Sequence, residues 1–437
     1  MDINSSAKLL NLVQRNRGGE KCGVYSICSG HPAVIDAGLR QALDDGSLAL
    51  IESTSSQVNQ FGGYTGLTAA QFAASVRQAA QRIGTPEEQV LLGGDHLGPY
   101  PWRNQPAATA LSHARELVRS CVLAGYGKIH LDASMACAGD QSPLAEDVVA
   151  DRAAALCRTA EDAFAEMPAG NSPPLYIIGT EVPIPGGETH EGEPPAVTSV
   201  EQMRRTLEVF RGAFDRHKVS SARERVIGIV VQPGVEFGEK VIFEYDRKKA
   251  ERLSASLPHA PALVYEAHST DYQPREALGQ LVEDHFAILK VGPALTFAFR
   301  EAIFALSAME REYLAGNRTL QLSEVRAALE AAMLRNPSHW RPYYHGSEEE
   351  QKLARSFSYS DRIRYYWPDP EVQHQLNQLI KNLTECPPAP TLISQYLPLE
   401  YEAISSGTIA PEPMDMIDHH IRLVLRSYAS ACGTLKQ

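Results

Sequence analysis

Two ionisable residues in succession, Asp95 and His96, follow a short apolar segment of the sequence. Residues 90–92 are apolar and lead into Gly93-Gly94, a pattern typical of a buried strand that ends in a turn. Side chains at the carboxyl end of such a strand face the crevice where α/β proteins bind ligands. An Asp-His pair at that place could present a metal ligand beside a carboxylate that transfers a proton. Taken alone, a turn at the protein surface explains the pair equally well.

Polar or ionisable residues also end or follow the other apolar segments of strand length. They are Ser26, Ser29 and His31, then Glu52, Ser53 and Thr54, then Asp132 and Ser134, and finally Glu181, Gln232, Glu266, His268 and Lys290. Each of them singly fits a capping or turn residue. Because the change from apolar to polar falls at the same end of every segment, we expect these side chains to meet in one pocket.

A barrel of eight strands would position these residues. The predicted strands are 23–28, 48–52, 90–94, 128–132, 175–181, 226–232, 263–267 and 287–291. The helices predicted between them include 68–83, 109–124, 145–165 and 200–214. This alternation of strands and amphipathic helices predicts a (β/α)8 TIM barrel. A doubly wound open sheet is the alternative, but residues 25–31 lack the glycine-rich dinucleotide loop that normally follows its first strand.

The chain continues well beyond the predicted barrel. Residues 1–313 are predicted to form the barrel, and residues 314–437 a helical, aromatic-rich extension that packs on it. Within the extension, residues 355–367 place three arginines among five aromatic side chains. We expect Arg362 to reach an anionic group of the substrate, with a purely structural role as the alternative. The pair His419-His420, in the last predicted helix, is expected to be solvated rather than a metal site.

Composition excludes several classes of function. The chain has 437 residues, 43% of them hydrophobic, and a formal net charge of -12, with no basic cluster that would favour nucleic acid. No apolar run is long enough to span a membrane, and residues 1–20 lack the apolar core of a signal peptide. The seven cysteines are scattered and form no Cys-x-x-Cys pair, which favours reduced thiols and a cytoplasmic protein.

The residues collected at the strand ends are of the types that a catalytic divalent metal binds. They include Asp95, His96, Asp132, Glu181, Glu266 and His268. Mixed imidazole and carboxylate sets suit zinc or manganese and leave a position open for substrate. Such a metal polarises a ketone oxygen and stabilises an enediolate, while a nearby carboxylate moves the proton. These requirements are those of metal-assisted aldol and retro-aldol chemistry on sugars.

Three further segments could contact or cover a substrate. Residues 57–66 combine amides, aromatic side chains and three glycines, as expected of a lid or substrate-contact loop, with an ordinary glycine-rich turn as the alternative. Residues 183–195 are acidic and proline-rich and could form a mobile flap. Gly292 opens a predicted helix that runs to about Tyr313, and the backbone N–H groups at its start could hold a phosphate.

Eight motifs together resemble one protein family. They are CSGHP at 28–32, ESTSSQVNQFGGYTG at 52–66, GGDHLGP at 93–99, HLDASM at 130–135, GTEVP at 179–183, YEAHSTDYQ at 265–273, LKVGPA at 289–294 and SDRIRYYWP at 360–368. The chain resembles the D-tagatose-1,6-bisphosphate aldolase accessory-subunit family, called GatZ or KbaZ, from about residue 21 to residue 396. The resemblance implies a (β/α)8 barrel related to class II aldolases and a place in the breakdown of galactitol, tagatose or related sugars.

The resemblance implies one of two activities. Some members are non-catalytic partners that stabilise a class II D-tagatose-1,6-bisphosphate aldolase, whereas stand-alone members are similar to metal-dependent 4-epimerases of D-tagatose 6-phosphate or free ketohexoses. The ionisable strand ends favour the epimerase, because a scaffold has no need of them. In that mechanism His96, Glu181 and His268 hold zinc, manganese or a similar divalent metal. Asp95 or Asp132 takes the C4 hydroxyl proton, the C3–C4 bond breaks, and re-addition to the other face of the aldehyde inverts C4.

The remaining site predictions concern catalysis and substrate contacts. Glu266 joins Asp95 and Asp132 as an expected catalytic residue. The expected contacts to a ketohexose or ketohexose phosphate are Ser26, His31, Gln57, Asn59, Gln232, Lys290, Gly292 and Arg362. Of these, Gln57 and Asn59 are expected to bind sugar hydroxyls, and the last three of the set a phosphate. We also expect the chain to form a homo-oligomer and not to bind nucleic acid or membrane.

Overall fold

The barrel prediction is confirmed in the computed structural model, which describes residues 4–180, 194–257, 262–317 and 319–435. The barrel strands are β1 Val24–Cys28, β2 Ala49–Thr54, β3 Val90–Leu97, β4 Lys128–Leu131, β5 Leu175–Ile178, β6 Val226–Val230, β9 Val264–Ala267 and β10 Ile288–Val291. All pair in parallel and close in the order β1-β10-β9-β6-β5-β4-β3-β2. The doubly wound alternative is wrong, because the sheet closes on itself.

Helices surround the closed sheet. They are α2 Pro32–Asp45, α3 Ala69–Ile83, α4 Ala107–Leu123, α5 Glu146–Ala165, α6 Val200–Arg216, α7 Arg247–Ser254, α8 Arg275–Glu283 and α9 Pro293–Leu314. Each buries one apolar face against the outside of the sheet, as Phe72, Ala73 and Val76 of α3 do. The apolar side chains between the sheet and the helices form one continuous hydrophobic core, as in other (β/α)8 barrels.

Two elements were not predicted. The helix α1 Ser5–Arg17 places Leu9 and Val13, both fully buried, against residues at the amino ends of the strands, among them Leu91 and Val264. This helix therefore fills the bottom of the barrel. After β6, a short hairpin of β7 Glu236–Phe237 and β8 Ile242–Phe243 adds two antiparallel strands outside the barrel.

The barrel interior changes from apolar to charged along each strand. Inward-facing side chains lie two residues apart, because successive residues of a strand point to opposite faces. Leu50, Val264 and Ile288 belong to the lower apolar layer with α1. Two residues further along, the same strands carry Glu52, Glu266 and Lys290, which are all buried. The charged residues are thus one layer above the apolar plug, toward the carboxyl ends of the strands.

The chain after the barrel is helical, as predicted. Its helices are α10 Val325–Arg335, α11 Glu348–Phe357, α12 Pro370–Glu385, α13 Pro390–Tyr396, α14 Pro398–Ser405 and α15 Pro413–Ala431. The last helix, α15, returns to the barrel and packs on α2, α8 and α9. The domain boundary at residue 313 stays a prediction. Among the described residues, we find no helix whose length and hydropathy would let it cross a membrane.

Candidate metal and active site

The strand that carries Asp95 and His96 does not end at the glycine pair, as the sequence suggested, but continues to Leu97. The pairing of β3 with β4 shifts register between Gly94 and Leu97, which marks a bulge, and His96 there has a φ of 47°. A bulge re-aims side chains that would otherwise alternate. Both Asp95 and His96 therefore line the same cavity at the carboxyl end of the barrel.

Gly93 allows two charged side chains to meet inside the barrel. In the strand register Gly93 lies between Glu52 of β2 and Lys128 of β4. A Cβ at Gly93 would lie 2.7 Å from Oε1 of Glu52, so any larger residue would displace that carboxylate. With glycine there, Lys128 Nζ lies 2.6 Å from Glu52 Oε1 and 2.8 Å from Glu266 Oε2. All three charged side chains are fully buried.

Lys290 joins this ionic network from the cavity side. Its ammonium pairs with Glu52 and lies 2.9 Å from Asp95 Oδ1 and 3.7 Å from Glu266 Oε1. Burial lowers the pKa of Lys290, but the surrounding carboxylates raise it by more than burial lowers it. The pKa therefore ends well above its ordinary value. The sequence assigned this lysine to a phosphate. The structure instead directs its charge toward three carboxylates of the barrel, although the side chain also lines the cavity.

Three imidazole rings, those of His96, His130 and His268, lie side by side with centroids 4.8 to 5.2 Å apart. His96 Nδ1 lies 2.8 Å from Asp132 Oδ2, and since a carboxylate only accepts, Nδ1 carries the hydrogen. This contact fixes the ring and leaves Nε2 as the basic nitrogen, the arrangement of metal-bound histidines in proteins. Burial raises the pKa of Asp132, but hydrogen bonds to His96 and Ser134 and the charges of His96 and His130 together lower it more, so that the pKa ends below its ordinary value.

The other two histidines are also bonded to carboxylates. His268 Nε2 lies 3.0 Å from Glu266 Oε1, yet burial dominates and lowers the pKa of His268 to about 4. The backbone N–H of His96 donates to His130 Nδ1 at 3.2 Å, and Asp95 Oδ1 lies 3.0 Å from the same nitrogen. Nε2 of His130 is buried and has no hydrogen-bond partner among the described residues.

Asp95, His130, Glu266 and His268 form what we call the mouth cluster. Each of the four offers one ligand atom, and these atoms all lie within 4.8 Å of one another. His96 lies beside the cluster, and Glu181 is outside the described residues, as is most of the predicted flap at 183–195. Two imidazoles and two carboxylates are a donor set that suits zinc or manganese. The unpaired Nε2 of His130 also fits a metal ligand, because buried polar atoms otherwise find partners.

The charges around the cluster do not balance. Four carboxylates are buried there, Glu52, Asp95, Asp132 and Glu266, and Lys128 and Lys290 pair with all of them except Asp132. Burial lowers the pKa of His96, but Asp95 and Asp132 raise it more, so an imidazolium at His96 offsets part of the negative charge. Negative charge left uncompensated in a region of low dielectric is costly unless a cation is bound.

The cavity above the cluster is formed by loops from the barrel and by the extension. Its lining includes Asp95, His96, His268, Gln57, Lys290 and Gly292, which the sequence predicted for the site. It also includes Thr54, one of the predicted polar strand ends, and Tyr64, from the predicted contact loop. The rest of the lining was not predicted and consists of Cys28, Ser56, Tyr100, Phe237, Ser269, Asp271, Val291, Pro293, Arg364 and Tyr365. Arg364 and Tyr365 come from the C-terminal extension, so this part of the chain completes the cavity wall.

Several predicted contacts lie elsewhere or are engaged by the protein itself. Gln232 turns back on its own loop, where its side-chain oxygen accepts from the backbone N–H groups of Gly234 and Val235. Asn59 accepts in the same way from residues 61 and 63 and holds the loop after β2. Ser26 is fully buried below the cavity, and His31 packs against Phe299 and Trp367. None of these predicted contacts belongs to the described lining of the cavity.

The predicted phosphate site at the start of α9 already holds a carboxylate. The backbone N–H groups of Gly292 and Ala294 donate to Asp271 Oδ1 at 3.0 and 2.8 Å. Arg362, the predicted phosphate ligand of the extension, is buried with its guanidinium 3.2 Å from the ring centroid of Tyr343. Arg364, two residues later, is the arginine that lines the cavity. The sequence pattern could not distinguish between two arginines in one turn.

Nearly the whole chain matches one family. Residues 9–433 match the model of the GatZ_KbaZ-like family, described as D-tagatose-1,6-bisphosphate aldolase subunit GatZ/KbaZ-like. The chain belongs to this family. The resemblance found in the sequence motifs is thereby confirmed, and the family is aldolase-related by its description.

A solved structure supports the membership of this GatZ/KbaZ-like chain. A crystal structure from Sinorhizobium meliloti 1021, described as a probable tagatose 6 phosphate kinase, is 44% identical, with a TM-score of 0.85. The match covers 94% of this chain and 100% of that one. A fructose-bisphosphate aldolase from Campylobacter jejuni is 14% identical, covering 87% of this chain and 93% of that one, with a TM-score of 0.44. A likeness that loose bears on neither the activity nor the substrate of this chain.

Proposed function

We propose that this protein is a metal-dependent 4-epimerase that interconverts D-tagatose 6-phosphate and D-fructose 6-phosphate, or the free sugars, by retro-aldol and aldol chemistry. The observation that carries the proposal is the mouth cluster beneath a cavity, in a region where buried carboxylates outnumber the lysines paired with them. A subunit that only supports another protein has no need to bury such a group of charges, because burial of unpaired charge costs stability.

The mouth cluster would hold the metal through His130, Glu266 and His268. The ring of His96 lies beside those of His130 and His268 and is oriented by its hydrogen bond to Asp132. His96 and Glu181 are further candidates from the sequence. When bound, a divalent ion would supply Lewis-acid polarisation of the ketone carbonyl of the sugar.

Asp95 is the proton acceptor that the geometry favours. Both carboxylates are hydrogen-bonded, Asp95 to Lys290 and His130 and Asp132 to His96 and Ser134, but only Asp95 belongs to the described lining of the cavity. Asp95 takes the proton of the C4 hydroxyl as the C3–C4 bond breaks, and the electron pair of that bond passes to C3 and the C2 carbonyl. C4 becomes an aldehyde, which turns over in the cavity before C3 adds to its other face.

Retention of both fragments separates an epimerase from an aldolase. The loop after β2 contributes Gln57 and Tyr64 to the cavity wall, and the extension contributes Arg364 and Tyr365. These elements would keep the three-carbon aldehyde in place while it rotates. Since the described phosphate candidates are engaged by carboxylates or aromatic rings, phosphorylated and free sugars both remain substrates to be tested.

The experiment is an assay of the purified chain with the two ketohexose 6-phosphates and the two free sugars, after chelation and after return of Zn²⁺ or Mn²⁺. We expect interconversion that disappears with the chelator and returns with the metal. A chain that is inert under every one of these conditions contradicts the proposal.

A second function follows from the family description, which names an aldolase subunit. As an accessory subunit the chain would be inert alone and would raise the activity or lifetime of a class II D-tagatose-1,6-bisphosphate aldolase. Mixing the two purified proteins separates the cases. Increased aldolase lifetime without epimerase activity favours the accessory subunit, whereas epimerase activity of the isolated chain favours the enzyme.

A further inference from the structure

Tyr365 reaches the cavity from the C-terminal extension. It lies in a short 3-10 turn, Arg362–Tyr366, and lines the cavity together with Arg364. Its ring meets that of Tyr64 edge-on, with centroids 4.6 Å apart, and stacks on His339 at 4.6 Å with an interplanar angle of 4°. Contacts on both sides fix the orientation of the ring, so the hydroxyl is a positioned group rather than a mobile one.

Two guanidinium groups face the hydroxyl of Tyr365. Nη1 of Arg362 and Nη2 of Arg364 lie 3.4 and 3.3 Å from this oxygen, and both can only donate. The hydroxyl oxygen therefore accepts from the arginines, and its own hydrogen is left for another acceptor. Arg364 is held in place by the backbone carbonyls of Ser360 and Asp361.

The surroundings of Tyr365 stabilise its ionised form. Burial raises the pKa of Tyr365, but the positive charges of Arg364 and Arg362 lower it more, and it ends below its ordinary value of 10.0. Besides the two arginines, the titratable groups that contact or interact with Tyr365 include Tyr64, Tyr100, Tyr366 and His339. The carboxylate of Asp361 interacts with Arg364, whose pKa it raises.

Inversion at C4 requires two proton-transfer groups. In one epimer the C4 oxygen faces one side of the cavity, and after the aldehyde has turned over it faces the other side. Asp95 lies at the end of β3 in the barrel wall, so it serves only one of these positions. The oxygen of the other epimer needs a group that belongs to a different element and faces the same cavity.

We propose that Tyr365 is this second acid–base residue, a step that rests on the proposed 4-epimerase function. When the pair of electrons on C3 adds to the turned aldehyde, the C4 oxygen becomes an alkoxide and takes the hydroxyl proton of Tyr365. The resulting phenolate is held by the guanidiniums of Arg362 and Arg364. In the reverse direction the phenolate removes that proton, the same C–C bond breaks, and Asp95 returns its proton to the other epimer. Water restores both groups between turnovers.

The experiment compares Tyr365→Phe with wild type in the metal-loaded full chain. The variant keeps the aromatic ring, so its contacts with Tyr64 and His339 persist, and it loses only the hydroxyl. We expect epimerisation to fall by about 100-fold or more in both directions, the scale of a lost acid–base group. The wild-type profile of kcat/KM against pH should also lose one ionisation in the variant.

A second readout separates this role from a structural one. Slow release of the three-carbon aldehyde, followed with a coupled aldehyde dehydrogenase, reports cleavage of each ketose on its own. In Tyr365→Phe, cleavage should persist with the epimer whose C4 hydroxyl faces Asp95 and be lost with its C4 epimer. Tyr313→Phe is the matched control, because Tyr313 is 48% exposed at the end of α9 and lies outside the cavity lining, and it should behave as wild type.

The outcomes are distinct. Equal loss of cleavage for both epimers, or epimerisation at the wild-type rate, overturns the role of Tyr365 while the 4-epimerase function stands. A wild-type chain that converts none of the sugars overturns the proposed function and the role of Tyr365 with it.

Discussion

Two clusters in this protein contain the same residue types, two histidines and two carboxylates each. The mouth cluster lies inside the barrel. The second, which we call the outer cluster, joins α9, α14 and α15 and consists of Glu301, Glu400, His419 and His420. His419 is buried, so the expectation of a solvated pair was wrong for that residue. Residue type alone therefore does not distinguish the two.

The hydrogen bonds of the imidazoles do distinguish them. In the outer cluster His419 Nδ1 lies 2.9 Å from Glu400, and its Nε2 lies 3.2 Å from a guanidinium nitrogen of Arg426. His420 likewise uses both nitrogens, toward Glu400 and Glu301. No nitrogen there is left for a ligand, whereas Nε2 of His130 in the mouth cluster has no partner among the described residues. The outer cluster therefore links three helices through hydrogen bonds, whereas the mouth cluster has an imidazole nitrogen available to bind a cation.

The largest expected difference between the two clusters is in metal content and in kcat/KM. His268→Ala removes a ligand from the mouth cluster and should lower kcat/KM by more than about 100-fold, beyond the loss seen for residues that only orient a ligand. His420→Gln in the outer cluster should leave kcat/KM and metal content near wild type. Steady-state kinetics and metal analysis of both purified variants check this. Equal losses in the two would show that the clusters do not differ in function.

A smaller effect is expected where a carboxylate only orients a ligand. Asp132→Asn removes the charge that accepts from His96 Nδ1 but keeps the size of the side chain. Metal affinity or kcat should fall by about 10- to 100-fold. Equilibrium dialysis with Zn²⁺ and the epimerase assay measure the two quantities. Wild-type values for both quantities would show that His96 does not bind the metal.

The smallest effect concerns the pH dependence of stability at the outer cluster. Burial lowers the pKa of His420, but hydrogen bonds to Glu301 and Glu400 raise it to about 9. A pKa raised in the folded state stabilises the protein at low pH, below the ordinary value of 6.5, and this stabilisation is lost as the pH rises through 9. Because the side chain is 20% exposed, we expect about 1–2 kcal/mol at pH 6.

Denaturant unfolding of wild type and His420→Gln at several pH values measures this difference. The free energies of unfolding should differ at pH 6 and converge above pH 10. A difference that stays constant with pH, or grows toward alkaline pH, would contradict the linkage. The epimerase activity of the variant, measured in parallel, should remain that of wild type.

The sequence was informative where a pattern repeats along the chain. Eight apolar segments with polar ends were enough to predict the barrel and to bring Asp95, His96 and His268 to one cavity. His130 could have been found in the same way, because it lies two residues after Lys128 and therefore on the same inward face of β4. It was left unassigned because it precedes the end of its strand. The helix α1 was missed because its apolar residues are few among polar ones.

Contacts between distant residues were not predictable from the pattern. Asp271 occupies the N–H groups at the start of α9, and nothing in the sequence around Gly292 indicates that a carboxylate from another loop lies there. Likewise, the choice between Arg362 and Arg364 depends on how one short turn sits against the barrel. Such contacts arise from tertiary packing, which a single sequence does not encode in its local periodicity.

The most direct measurement is anomalous diffraction from a crystal of the full chain grown with Mn²⁺ or Zn²⁺. We expect one strong anomalous peak at the mouth cluster, beside His130, Glu266 and His268, and none at Glu400, His419 and His420. A fully loaded crystal without a peak at the mouth cluster, or with its peak at the outer cluster, would contradict the account of this protein as a metal-dependent enzyme.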